Sequence, residues 1–291
     1  MTVPRFPEFK PVGLEDRDLL SDWISAFPLP VCEMNFANIL IWKESERPRY
    51  SFLDGNLCLL VEPTFEPAYF LPPLGPDVGD ATLSALLEMV PRLSRVPAEL
   101  AERRPAGLRV EEDRDNFDYV YLAADLADLG GKKFDGKRNR IRKFESDFPG
   151  RRYEPLTPGL LDECRRLLET WFDGKACPSP NMEAERLAIL RALDWYAELG
   201  LKGAAVSIDG RLEAFTIGTP LTGETALVQI EIANPEISGL AQWINREFVR
   251  GEWASFRFIN REQDLGVPGL RKAKMSYQPH HMVRKFNIFP R

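Results

Sequence analysis

Apolar positions between 131 and 152 recur at helical spacing. Phe134, Ile141, Phe144 and Phe148 are separated by seven, three and four residues, which is one stripe of an amphipathic helix. Lys133, Lys137 and Arg140 fall on another face of it, flanked by Arg138 and Arg142. The residues that follow this helix are the easiest to read. Arg152 to Leu156 alternates as a short strand; Thr157 and Pro158 then give a helix cap and a first-turn proline. Leu160, Leu161, Cys164, Leu167, Leu168 and Trp171 form the stripe of a helix expected to end near Gly174, before a loop with Pro178 and Pro180. A second helix is expected from Glu183 to Leu199, stopped by Gly200. A meander follows, with strands Ala204–Ile208, Leu212–Gly218 and Ala226–Ile232 turning at Asp209-Gly210 and Thr222-Gly223. A helix from Ser238 to Arg250, a strand Ser255–Ile259, a short helix from Pro268 and a last strand Met282–Ile288 complete the order β-α-α-β-β-β-α-β-α-β.

The first half gives a vaguer version of the same order. Helices are expected over Leu14–Phe27, Asn35–Trp42 and Asp80–Leu93. A hairpin turns at Asp54-Gly55, and strands lie near Tyr69, near Leu108 and at Phe117–Leu122. Strands with helices interspersed predict a mixed α/β layered fold. The parallel between the halves predicts structural duplication without a visible sequence repeat.

With 291 residues, 44% hydrophobic and 28% charged, the protein has an ordinary globular composition and room for one large domain or two smaller ones. Charge-free stretches reach only about ten residues, short of the roughly 18 that a helical membrane span needs. The first residues do not have the form of a secretory signal. The net charge of −6 conceals two basic blocks. Residues 131–152 and 269–291 each carry +6, so the remaining 246 residues carry −18. Such segregation sets a local positive field on an acidic protein. Most cations of the first block lack an acidic partner at i,i+4, so that face is self-repelling unless an anion sits near it.

Several chemistries are excluded. Cys32, Cys58, Cys164 and Cys177 form no Cys-x-x-Cys pair and match no zinc or haem spacing; reduced, structural thiols in a cytoplasmic protein are the expectation. His280 and His281 are the only histidines, so a His-Glu-x-x-His or three-histidine metal centre cannot be built, and no metal is expected. There is no Gly-x-Ser-x-Gly elbow, no phosphate-binding Gly-x-x-x-x-Gly-Lys loop and no Gly-x-Gly-x-x-Gly fingerprint.

The element order over 152–289 resembles that of the GNAT acyltransferases. The segments GKKFDGKRNRIRKF (131–144), DGRLEAFTIG (209–218), INREQDLGVPGLRKAKMSYQP (259–279) and HHMVRKF (280–286) resemble the C-terminal catalytic region of the phosphatidylglycerol lysyltransferases and their soluble relatives. The resemblance implies an α/β fold with mixed sheets, arranged as two GNAT-like lobes in tandem. An N-terminal lobe would span 1–124, a basic connecting helix 125–150, and a C-terminal lobe carrying the site 151–291. It also implies transfer of an acyl or aminoacyl group, with tRNA or coenzyme A as partner and a small-molecule or peptide acceptor. The donor would be aminoacyl-tRNA or acyl-coenzyme A, with no covalently bound cofactor. The membrane-embedded region of the full lysyltransferases has no counterpart here, which makes a lipid substrate less expected. The GNAT pyrophosphate loop survives only around Glu236, Gly239 and Ala241, with an acidic first position. That favours the aminoacyl-tRNA donor.

Candidate residues follow from the strand pattern. Val228, Ile230 and Ile232 face one side of their strand; Gln229 and Glu231 face the other. A carboxylate in mid-strand is costly to bury without a partner. Glu231 is read either as a base or amine anchor, or as the partner of a C-terminal cation. Ser238 and Gly239 open the next helix, where free N–H groups favour a phosphate or oxyanion, unless Ser238 simply caps the helix. Asn260, Arg261, Glu262 and Asp264 follow a strand end and are closed by Gly266, the form of a site loop. The resemblance singles out Asn260, Arg261 and Asp264 among them. Lys274 is expected to face the cleft and hold a phosphate or oxyanion, while Arg271 and Lys272 are solvated. Lys133, Lys137 and Arg138 would hold the donor's distant phosphates. Neither histidine is assigned as the base. The rival reading is a non-catalytic module that uses the basic face to bind RNA or another polyanion.

Overall fold

The computed structural model describes residues 3–103, 107–173 and 180–290. The expected end of a helix near Gly174, the loop at Pro178, and Cys177 lie outside them. Among the described residues, fourteen strands run in sequence order: β1 (Lys10–Pro11), β2 (Arg49–Leu53), β3 (Asn56–Val61), β4 (Tyr69–Phe70), β5 (Leu93–Pro97), β6 (Arg109–Glu112), β7 (Asp118–Leu122), β8 (Arg152–Pro155), β9 (Lys202–Ile208), β10 (Arg211–Pro220), β11 (Thr225–Ala233), β12 (Phe258–Asn260), β13 (His281–Val283) and β14 (Lys285–Phe289).

They form two seven-stranded sheets, ordered β1-β2-β3-β4-β5-β14-β6 and β13-β7-β12-β11-β10-β9-β8. Counted from β1 and from β8, the two orders match position by position. Four antiparallel strands come first, the fourth and fifth are parallel, and the fifth and sixth are antiparallel again. This is the expected pair of GNAT-like lobes on mixed sheets. In each sheet the sixth strand comes from the opposite half of the sequence, β14 in one and β7 in the other. The protein accordingly forms two interleaved compact units, Met1–Asp118 with Gln263–Val267 and Met282–Arg291, and Tyr119–Glu262 with Pro268–His281. This grouping cuts the sequence differently from a division at 124 and 150. The basic helix falls inside the second unit, and the last residues belong to the first.

The first unit buries Leu60, Phe70, Leu86, Leu93 and Val96 in one cluster. The second buries Phe134, Phe144, Phe215, Phe248, Trp253 and Ile259. Residues 132–134 form a turn of 3-10 helix, and Asp135–Asp147 the basic α-helix, seated through Ile141 and Phe144. The helix Leu240–Glu252 buries Leu240, Trp243, Ile244, Phe248 and Val249 as the stripe predicts, and adds Asn245.

Three expectations differ from the structure. The helix predicted over 183–199 covers Pro180–Asp194; turns closed by the left-handed Gly200 follow it. The helix predicted to reach Leu93 stops at Met89, and Leu93 instead begins β5. The single strand expected over 282–288 is two, β13 and β14, lying in different sheets. Gly218 marks a bulge in β10, and a Cβ there would lie 2.4 Å from the carbonyl oxygen of Leu227. Only glycine allows the strands so close.

Candidate active site

The parallel pairing in the second unit is short. Pairing of β11 with β12 covers Thr225↔Phe258, Ala226↔Ile259 and Leu227↔Asn260, and there β12 ends. On its other side β11 stays paired with β10 beyond Glu231, which faces Thr216. Glu231 therefore lies past the end of its parallel neighbour, where ligands settle in open α/β sheets.

Arg261, the first residue after β12, reaches back to Glu231. Its Nε donates to Glu231 Oε2 at 2.9 Å, while the buried Asn245 donates through Nδ2 to Oε1 at 2.9 Å. The side chain of Glu231 is 26% exposed and that of Arg261 13%, so the pair keeps some access to solvent. Burial disfavours the guanidinium charge, but the attraction of Glu231 outweighs it and raises the Arg261 pKa. The guanidinium carbon lies 4.6 Å from the ring centre of Tyr277 and 5.7 Å from that of Tyr121. Burial lifts the Tyr277 phenol to about 12, against the opposing pull of Arg261. Arg261 Nη1 and Asn245 Oδ1 are both buried without a hydrogen-bond partner.

Lys274 joins the same group through the backbone. Its Nζ donates to the carbonyl oxygens of Arg261 and, at 3.4 Å, Glu262, and Tyr121 donates its hydroxyl to the Lys274 carbonyl at 2.9 Å. These contacts hold the turn from which Arg261 projects. Asn260, fully buried, accepts the Glu262 N–H at 2.8 Å and shapes the same turn. Lys137, half-buried on the basic helix, places Nζ 2.7 Å from Ser276 Oγ and 3.4 Å from the ring centre of Tyr277.

The other expected site residues are used differently. Asp264 belongs to the first unit, where it is fully buried, pairs with Arg114 at 3.2 Å and accepts the Gly266 N–H at 2.9 Å. Lys133 pairs with Asp125 at 2.8 Å. Arg138 binds Asp135 and the carbonyls of Leu129 and Gly131. Gly239, not Ser238, is the cap of its helix, with φ of 90°. A Cβ on it would lie 2.4 Å from the Arg140 carbonyl oxygen, so this helix start rests on the backbone of the basic helix.

Asn245, Tyr121 and Tyr277 escaped the sequence reading as site residues. The signal for Asn245 was available, because a lone amide inside an apolar helical stripe needs a buried partner. A buried cluster in the first unit was also missed. Lys285, fully buried, binds Asp118 and Glu33 at 2.6 Å each and lies 3.6 Å from the Cys32 sulfur. Burial works against its charge, but chiefly Asp118 overrides this and raises its pKa. Cys32, Glu33 and Asp118 offer atoms within 4.8 Å of one another, the spacing of a cation site, and the lysine ammonium is the cation they hold. The first unit also has a surface cavity of about 580 Å³ lined by Phe9, Arg49, Leu60, Glu62, Met89 and Val90, none of them an expected site residue.

Two GNAT-like lobes, each with one parallel strand pair in a mixed sheet, give the protein an acyltransferase-like fold. The family model described as phosphatidylglycerol lysyltransferase, C-terminal, matches residues 26–289, and the chain belongs to that family. Among solved structures, a conserved protein of unknown function from Bacteroides thetaiotaomicron is 32% identical, with 97% of this chain and 99% of that one covered and a TM-score of 0.90. The C-terminal domain of a putative lysylphosphatidylglycerol synthetase from Agrobacterium fabrum is 12% identical, with coverages of 95% and 92% and a TM-score of 0.66. L-PGS from Bacillus licheniformis is 14% identical, with coverages of 100% and 94% and a TM-score of 0.63. The last two show the shared fold. No curated protein matches the sequence. Among the described residues, no helix is long and apolar enough to cross a membrane.

Proposed function

We propose that the protein transfers an aminoacyl or acyl group from a large anionic donor to an amine or hydroxyl of a small-molecule or peptide acceptor. The position of Glu231 carries this reading: a carboxylate at the end of the parallel pairing, held by Arg261 and Asn245 yet still open to solvent. Glu231 receives the ammonium or amine of the incoming group. Arg261, bound to that carboxylate, supplies a preset cation beside the developing oxyanion, where such a group lowers the barrier most. Lys274 and Asn260 hold the turn that aims Arg261.

Aminoacyl-tRNA is favoured over acyl-coenzyme A as the donor. An aminoacyl group brings the ammonium that Glu231 suits. The helix start at Gly239, where a pyrophosphate loop would lie, is taken up by the carbonyl of Arg140 and preceded by Glu236. The exposed Arg140 and Arg142 supply a basic face for a long polyanion. The test is a panel of charged tRNAs and acyl-coenzyme A donors, scored for turnover and binding. Turnover with charged tRNA is expected. Salt-sensitive RNA retention without turnover would support the binding-module reading, and no binding of any donor would end both.

A further inference from the structure

Acyl transfer needs a group that takes the acceptor's proton as its lone pair attacks, and Glu231 is poorly placed to be that group. Both of its oxygens are already engaged, one by Asn245 and one by Arg261. Lys137 differs. Its Nζ approaches the same cluster from the basic helix, meeting Ser276 Oγ at 2.7 Å and the face of Tyr277 at 3.4 Å, on whose ring Arg261 also rests. Among the described residues, no carboxylate pairs with it.

We propose that Lys137 is the general base of the transfer, acting as a neutral amine rather than as a clamp for phosphate. This rests on the transfer reading given above. The charged groups facing it are Arg140 on its own helix and Arg261 across the ring, and both repel a proton; Tyr277 and Ser276 are the other polar groups in contact. Burial first, then Arg261 and Arg140, bring the lysine pKa down to about 8. The neutral amine is therefore well populated just above neutrality, the range in which a general base is most effective.

The step balances without any further reagent. The acceptor N–H or O–H gives its proton to Lys137 Nζ as its nitrogen or oxygen bonds to the donor's carbonyl carbon. The tetrahedral intermediate then breaks the bond to the ribose oxygen of the aminoacyl ester. Lys137 returns the proton to that oxygen, so the enzyme ends as it began.

Two measurements on the full-length protein test this. The first is reductive methylation with 13C-formaldehyde followed by NMR titration, with the Lys137 signal identified by its loss in Lys137→Arg. A titration near 8 is expected. A midpoint with the other lysines, at about 10.4, overturns the inference and leaves the transfer reading standing. The second compares Lys137→Arg with wild type in single-turnover transfer from charged tRNA. Arginine keeps the positive charge but cannot act as a base at these pH values. A rate loss of roughly 10²-fold or more, with donor affinity held within about threefold, is expected. A rate that survives in Lys137→Arg overturns the inference. Failure of wild type to turn over any donor overturns the transfer reading itself, and with it any base for that reaction, whatever the titration shows.

Discussion

Lysines 137 and 285 show how two identical side chains take opposite roles from their surroundings. Lys285 is enclosed by Asp118, Glu33 and Cys32, and its pKa is raised. Its stabilisation is fully present below the ordinary lysine pKa and is lost only as pH climbs through the raised value. Lys285→Met takes the ammonium from the enclosed Asp118, while Glu33 keeps Arg95 at 3.3 Å. It should cost about 3–5 kcal/mol in urea unfolding at neutral pH, and the cost should stay level between about pH 6 and 9. Lys137 has the reverse sign. Its lowered pKa means that the folded protein is penalised for carrying the proton below about 8, and that the penalty fades as pH rises from there toward 10.5. Lys137→Met should therefore be more stable than wild type at pH 7, with the gap in unfolding midpoint closing by pH 10. A variant less stable at pH 7 would contradict that placement.

At the scale of elements, the contact between the basic helix and the helix Leu240–Glu252 depends on one missing side chain. Gly239 takes φ of 90° with the Arg140 carbonyl against its α-carbon. Gly239→Ala adds backbone strain and a clash, and should cost about 2–4 kcal/mol in chemical denaturation. Alanine at Gly136, where an added Cβ meets nothing within 4 Å, is the matched control and should be neutral or slightly stabilising. Periodicity showed the second-unit meander and its helices, because their apolar stripes are unbroken. It missed β5, whose Arg95 has φ of 61° and sits as a half-buried charge between the buried Ser94 and Val96, breaking the alternation a strand reading needs. It read β13 and β14 as one strand because nothing in Met282 to Ile288 marks the change of sheet. That change is a matter of long-range pairing. Glu231 and Arg261 were each legible as strand-end polar groups; that they bind each other was not, because thirty residues separate them.

For the whole molecule, charge segregation and strand exchange are the features that local reading reaches least evenly. The two +6 blocks are plain in the sequence, yet the cations of the first serve different ends once folded. Arg138 and Lys133 are spent on local carbonyls and carboxylates, whereas Arg140 and Arg142 remain exposed on the basic helix. Arg140→Glu combined with Arg142→Glu should weaken charged-tRNA binding and reduce its log–log salt slope by roughly one to two, read by filter binding over about 50–200 mM salt. An unchanged slope would remove these residues from the donor path.

The transfer site itself is tested most directly by single-turnover aminoacyl transfer with Glu231→Gln, measured beside wild type with donor affinity in the same samples. Glutamine keeps the shape but removes the charge that Arg261 and the incoming ammonium both meet. A rate loss of at least about 10²-fold is expected, with the donor dissociation constant changed by less than about tenfold. Transfer at the wild-type rate in Glu231→Gln would contradict it.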